Sequence, residues 1–280
     1  MKTHLDCIPC FISQALRAGK EISNDEIFLK SILDRICGMV KDFSLNKSTP
    51  EIADLIYSEI KKITKNNDPF SKKKKQNIEE ALRFEPELKQ IVENSDDKLL
   101  TAIRIAIAGN VIDLGANVNF DLRRDVNQIL KQDFAIFHYE EFKDYLNQTE
   151  KILYIGDNAG ESVFDKILIE QLGKPVIYAV RDEAVINDVT FDDAIASGLE
   201  KFSKIISSGC SAPSTLLERC SDEFLNEYHS SKLIISKGQG NYEGLSDTKD
   251  KVFFLLKAKC PVIADYLNVN INDIVLKLNS

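Results

Sequence analysis

No stretch of this chain reaches the roughly 18 consecutive apolar residues that a membrane-spanning helix requires. The first ten residues carry no secretory leader either, because the apolar positions after Lys2 are broken by His4, Asp6 and Pro9. Histidine is scarce: His4, His138 and His229 belong to no motif, and His229 reads most simply as a surface residue. Of the six cysteines, only Cys7 and Cys10 are closely spaced, and the second pair that a structural zinc site ordinarily supplies is missing. With no leader, a disulfide scaffold is not expected and the cytosol is the default compartment. Positive charge is in deficit, 36 Lys and Arg against 44 Asp and Glu for a net charge of -8, which disfavours general binding to nucleic acid. The exception is the run Lys72 to Lys75, read as a solvated turn or helix start after Asp68-Pro69, with a phosphate-attracting edge as the alternative. There is no internal repeat and no low-complexity segment.

What is present is a soluble globular composition, 280 residues of which 44% are hydrophobic, near the length at which one core begins to split into two. The first 130 or so residues show helical periodicity. Ser23 to Glu26 forms a cap that opens a helix through about Val40. Thr49-Pro50-Glu51 opens another, with proline in the first turn. Gln76 to Glu93 and the strongly apolar Asp97 to Ala108 give two more, the latter ending at Gly109-Asn110. From about Lys151 short apolar runs alternate with helical segments: Lys151 to Ile155, Pro175 to Val180, Lys204 to Ile206, Lys232 to Ile235 and Val252 to Leu256, with helices at Glu161 to Leu172, Phe191 to Ala196 and Ser214 to Tyr228. Such alternation predicts a parallel sheet covered on both faces. The expected fold is α/β: an all-helical subdomain over residues 1–130 and a Rossmann-like, doubly wound, mainly parallel domain over 131–280, with a soft boundary at about 115–150.

Ligands of open α/β sheets sit at the carboxyl ends of the strands. After Ile155 comes Gly156-Asp157-Asn158-Ala159-Gly160-Glu161, where Asp157 and Asn158 offer adjacent oxygen ligands and the following helix points its amides at an anion. Taken alone, this Asp-Asn is better explained as a helix cap. After Val180, Arg181 can pair with phosphate and Asp188 can bring a second carboxylate. Ser207 to Pro213 either holds phosphate through groups such as Ser208 and Gly209 or is an ordinary loop. After Ile235, Lys237-Gly238-Gln239-Gly240-Asn241-Tyr242-Glu243 reads as a phosphate-binding lysine on a glycine-rich turn, distinct from the P-loop pattern. Asn110 and Asp113 either line the same cleft or cap a helix. Hard oxygen ligands without imidazole or thiolate suit Mg²⁺ or Mn²⁺, and a metal with cationic side chains is equipment for phosphoryl transfer.

Taken in order, Cys7-Ile8-Pro9-Cys10, Gly109-Asn110 with Asp113, Asp157-Asn158-Ala159-Gly160-Glu161, Asn187-Asp188-Val189-Thr190 and Lys237-Gly238-Gln239-Gly240-Asn241 resemble the metal-dependent damage-control phosphatases, a family long described as a domain of unknown function. The likeness runs from residue 3 to about 275, and the Cys-x-x-Cys resembles its prokaryotic branch. The resemblance implies a divalent metal (Mn²⁺, Ni²⁺, Co²⁺ or Mg²⁺) held by Asp157, Asn158 and Asp188, phosphate contacts from Lys237, and hydrolysis of sugar phosphates or damaged phosphometabolites. One eukaryotic branch is assigned carboxyl methyl transfer; no glycine loop for S-adenosylmethionine is legible in this chain.

The leading expectation is a metal-dependent phosphomonoester hydrolase. Asp157, Asp188 and Lys237 would be catalytic. Lys237, Arg181, Glu161, Asn110, Ser208, Gly209 and Gly238 would contact substrate or phosphate. The nucleophile would be a metal-activated water or an Asp157 that forms an aspartyl-phosphate. The expected partner is a small phosphorylated metabolite, with no nucleic acid and no membrane. Two rivals stand beside it: a phosphometabolite sensor without turnover, and a redox module centred on Cys7 and Cys10. Against the second, no strand precedes Cys7 as a thioredoxin-like motif requires.

Overall fold

A computed structural model describes residues 1–109 and 122–279. Six helices come first: α1 (Cys7–Lys20), α2 (Glu26–Met39), α3 (Thr49–Thr64), α4 (Ser71–Glu93), α5 (Lys98–Gly109) and α6 (Leu122–Lys131). Strands and helices then alternate: β1 (Phe134–Phe137), α7 (Tyr139–Gln148), β2 (Ile152–Ile155), α8 (Ser162–Leu172), β3 (Val176–Val180), α9 (Phe191–Ala196), β4 (Lys204–Ser207), α10 (Asp222–Ser230), β5 (Leu233–Lys237), α11 (Gly238–Leu245), β6 (Val252–Lys257), α12 (Pro261–Leu267) and β7 (Ile274–Leu278). Among the described residues no helix is long and apolar enough to cross a membrane.

The helix starts follow their capping chemistry. The Asp25 side chain accepts the Ile27 N–H, and Ser48 with Glu51 closes a capping box ahead of α3. The lysine run lies in the first turns of α4, but Lys74 is not solvated: it is buried and pairs with Asp68 and Asp193, each at 2.8 Å, tying α4 to α9.

The sheet has seven strands in the order β1-β7-β6-β5-β2-β3-β4, and every neighbouring pair is parallel except β6 and β7. β2, β3 and β5 are buried along their whole length, which explains their uninterrupted apolar runs. One face packs Ile152, Tyr154, Tyr178 and Ile235 against α4, α5 and α8. The other packs Leu153, Ile155, Ile177 and Ile234 against α10, α11 and α12. α1, α2 and α3 close a separate core around Phe11, Ile32, Ile36, Ile56 and Ile60. α4 and α5 therefore serve as a layer on the sheet, and a cut at residue 130 would run through the shared core. The helices with a core of their own are α1–α3.

β1 and β7 are not legible as apolar runs of the parallel type: β1 alternates between half-buried and exposed, and β7 runs antiparallel to β6. In the segment expected from Ser214, a 3-10 turn at Leu217–Arg219 comes first, and the α-helix begins only at Asp222 behind its Ser221 cap. The glycine-rich segment after β5 is a helix rather than a turn. Gly238, at φ +78°, makes the whole change of direction in one residue.

Candidate active site

The chain order places β3 and β4 on one side of β2 and returns β5 to the other side. The carboxyl ends of β2 and β5 thus flank a topological switch point, where an open sheet leaves a crevice. The loops after β2 and β3 are laced together by their backbones. Val189 N–H donates to Asp157 O at 2.8 Å, Ala159 N–H to Asn187 O at 2.8 Å, and Arg181 N–H to Val189 O at 3.0 Å. Asn158 and Asp188 form a β-bridge across the seam. Residues distant in sequence, Asp157, Asn158 and Asp188, come side by side in this way.

These three line a cavity of about 410 Å³. Its other walls come from Cys7, Cys10, Phe11 and Gln14 on α1, Thr49, Pro50 and Ala53 on α3, Gln239, Gly240 and Glu243 on α11, and Lys259 to Val262. Asp157 packs directly on Gly238; a Cβ there would lie 1.9 Å from Asp157 Oδ2. Burial pushes the Asp157 carboxyl well above its ordinary range, and the neighbouring Glu161 and Asp188 add to the shift. Burial also raises Asp188, against the opposing pull of Arg181.

The cations lie behind this floor. Arg181, 2% exposed, donates Nε–H to Asp188 Oδ2 at 2.7 Å, Nη1 to Thr215 at 3.0 Å and Nη2 to Asn241 at 2.8 Å. Lys237, 0% exposed, directs its ammonium to Ala106 O at 2.8 Å and to Glu161 Oε1 and Asp165 Oδ1 at 2.5 Å each. Burial opposes both charges, yet the carboxylates hold both pKa values above their ordinary range. Asp165 also accepts from Tyr154 and Tyr178, each at 2.7 Å. Asn158 donates to Asp157 Oδ2 at 2.9 Å and to Glu161 Oε2 at 3.2 Å.

The expected site is therefore brought together in part. Asp157, Asn158 and Asp188 meet at the cavity, with Gly238 against Asp157. The expectation that Lys237 touches phosphate is corrected: an ammonium has three N–H donors, and all three are engaged in the interior. Arg181 is likewise a holder of Asp188 behind the floor, and Glu161 a buried partner of Lys237 and Asn158. Ser208 and Gly209 do not line the cavity; Ser208 O accepts the Ser221 N–H, and Gly209 packs on Ser221. Asn110 and Asp113 lie outside the described residues. Cys7 and Cys10 do reach the cavity wall, as free thiols.

Lys259 is a charged cavity residue that sequence reasoning missed, and Glu243 was singled out only as part of the glycine-rich segment. The strand-end rule that singled out Asp157 applies equally after β6, where Lys257-Ala258-Lys259-Cys260 stands, and it would have found Lys259. Glu243 sits in a segment read as a turn, so its place on a helix facing the cavity was not legible.

Three comparisons bear on this geometry. The model of the family described as the damage-control phosphatase ARMT1-like domain matches residues 3–275. A damage-control phosphatase of Pyrococcus horikoshii is 34% identical over 96% of this chain and 95% of its own length. An uncharacterised protein of Methanocaldococcus jannaschii is 33% identical over 99% of this chain and 95% of its own. The crystal structure of a DUF89 family protein from Pyrococcus horikoshii superposes over 100% of both chains, with a TM-score of 0.89 and 33% identity.

Proposed function

Because the chain belongs to the damage-control phosphatase ARMT1-like family, we propose that it is a metal-dependent phosphatase of small phosphomonoesters, with its metal at Asp157, Asn158 and Asp188. The observation that carries this reading is the convergence of Asp157, Asn158 and Asp188 on one cavity at the switch point, with Arg181 behind Asp188. A divalent cation there would offset the burial that holds the Asp157 and Asp188 carboxyls above their ordinary range.

The donor set fits that ion. Arg181 occupies only Oδ2 of Asp188; Oδ1 has no hydrogen-bond partner among the described residues, and the side chain faces the cavity. Two carboxylates and an amide are hard oxygen donors of the kind Mg²⁺ or Mn²⁺ takes; Ni²⁺ and Co²⁺ also come with the family resemblance. Among the described residues no three His, Cys, Asp or Glu side chains form a metal cluster, so the set depends on the Asn158 amide. When bound, the ion would supply charge neutralisation to a phosphoryl oxygen.

The chain's own groups do the rest. Arg181, braced by Thr215 and Asn241, fixes Asp188, and Asn241 also ties down the carbonyls of Gly156 and Lys237 at 3.0 and 2.9 Å. Lys237 fixes Glu161, which orients Asn158. Lys259 and the amino end of α11, with Gln239 and Gly240 at the cavity, offer positive potential to the phosphate. α1 and α3 face the substrate's remainder through Phe11, Gln14 and Thr49.

The test is phosphate release from a panel of sugar and cofactor phosphates with Mn²⁺, Co²⁺, Ni²⁺ or Mg²⁺. We expect turnover that needs the ion and falls by about 10²-fold or more in Asp157→Ala. Equal turnover by the variant refutes the site. Ligand-induced stabilisation with no phosphate release would make the protein a sensor.

A further inference from the structure

One buried carboxyl group at the cavity is left without a role by these assignments. Glu243 lies on the second turn of α11, is 9% exposed and lines the cavity. Its Oε1 accepts from Gln239 Nε2 at 3.0 Å. Gln239 cannot turn its amide round, because its own Oε1 accepts the Lys259 backbone N–H at 3.0 Å. The Gln239 NH₂ group is thus committed to Glu243 and to Cys260 Sγ, the latter at 3.4 Å. Oε2 of Glu243 has no hydrogen-bond partner among the described residues, and that is the oxygen free to carry a proton.

The groups facing this carboxyl leave the proton there near neutrality. Burial pushes it up to about 7, opposed by the Gln239 hydrogen bond and the amino-terminal ammonium. Cys7 on α1 and Cys260 ahead of α12 are the thiols within its field. α3 presents Thr49, Pro50 and Ala53 to the cavity, and β6 packs Phe254 against Tyr242 of α11, none of them charged; the charged side chains that share the lining are Asp6, Asp157, Asp188 and Lys259. Glu243 is five residues beyond Gly238, where Asp157 packs, or about 7.5 Å along the helix. Asp157 and Glu243 line the same cavity, so a phosphoryl group held at Asp157 would face Glu243.

Resting on the phosphatase reading above, we propose that Glu243 is the general acid that protonates the leaving oxygen of the substrate. As the P–O ester bond breaks, its electron pair goes to the leaving oxygen, which takes the Glu243 proton and departs as an alcohol. The attacking water supplies the new P–O bond and releases a proton to solvent, from which Glu243 is reprotonated. An alkoxide needs this help at neutral pH, whereas nitrophenolate leaves without it.

The experiment compares Glu243→Gln with wild type on the best alkyl phosphate of the sugar-phosphate panel and on p-nitrophenyl phosphate, each from pH 5.5 to 9 with Mn²⁺. We expect kcat for the alkyl phosphate to fall by about 10²-fold and that for the aryl phosphate to change by no more than about threefold. Wild-type kcat for the alkyl phosphate should decline above pH 7, and that decline should vanish in the variant. Glu243→Asp should recover part of the alkyl rate. Equal losses on both substrates, or a basic limb that persists in Glu243→Gln, would overturn the assignment and leave the phosphatase reading intact. No phosphate release from either substrate by wild type would overturn both.

Discussion

Replacing Lys237 with methionine separates two accounts of the most unusual segment in the chain. If the ammonium is a phosphate ligand, the variant should fold normally and bind substrate poorly. The buried geometry predicts the reverse. Methionine fills a similar volume but leaves Glu161 and Asp165, both 0% exposed at their side chains, without their cation. Breaking a buried ion pair by removing one partner costs about 3–5 kcal/mol. At about 2–4 °C per kcal/mol for a chain of this size class, the thermal midpoint should fall by about 6–20 °C. The deficit should also depend on pH. Burial already raises the Asp165 pKa in the wild type, and losing Lys237 raises it further. A carboxyl whose folded pKa exceeds its unfolded value, about 3.9, destabilises increasingly as pH rises through the folded value. The gap between variant and wild type should therefore be wider at pH 8 than at pH 5. Differential scanning fluorimetry across that range, without added metal, is the assay. A midpoint within about 2 °C of wild type at pH 7.5, together with a KM raised about tenfold, would refute the buried counter-charge account.

Four further outcomes follow from the same geometry. Gly238→Ala places a methyl group in a left-handed position, at about 1–2 kcal/mol, and drives it into Asp157; calorimetric Mn²⁺ affinity should fall by about tenfold or more, and an unchanged affinity would contradict the ligand role of Asp157. Asp157→Ala in metal-free buffer should melt at or above the wild-type temperature, because it removes a carboxylate that burial penalises, and its midpoint should no longer respond to Mn²⁺. In the same buffer, wild type should lose stability relative to Asp157→Asn as pH rises above the ordinary carboxylate range, since the raised folded pKa makes its contribution greatest at low pH; a pH-independent difference counts against this. Lys259→Ala should raise KM for the phosphoester about tenfold with an unchanged midpoint, and a normal KM would remove Lys259 from the phosphate site.

Much of the site was legible because strand ends announce themselves. An apolar run followed by Gly156-Asp157-Asn158 has one structural meaning in a parallel sheet, and the laced loops brought Asp188 to the expected place. Depth was not legible. Sequence shows that Lys237 ends a strand; it does not show that the ammonium turns inward to meet Asp165, a residue read only as part of a helix. The same limit hid Lys74 inside a lysine run that looked solvated. Edge strands were lost for another reason: β1, half exposed, lacks the apolar continuity that identifies its central neighbours. Gly238 misled because glycine at a positive φ ends a strand and starts a helix as readily as it makes a turn.

The bonds between Lys237 and the acids at the start of α8 also set an order of assembly. Glu161 and Asp165 precede Lys237 by 76 and 72 residues. At about 5–20 residues per second, a ribosome needs about 4–15 s to supply the missing cation. Through that interval α8 cannot settle against α5 without burying Asp165 before its cation has arrived, so the nascent segment stays hydrated. β5 then completes the hydrogen bonding of β2 and delivers Lys237 in one event. The strand that carries the cation is thus the keystone of folding: the crevice and the core beneath it close together, when residue 237 arrives.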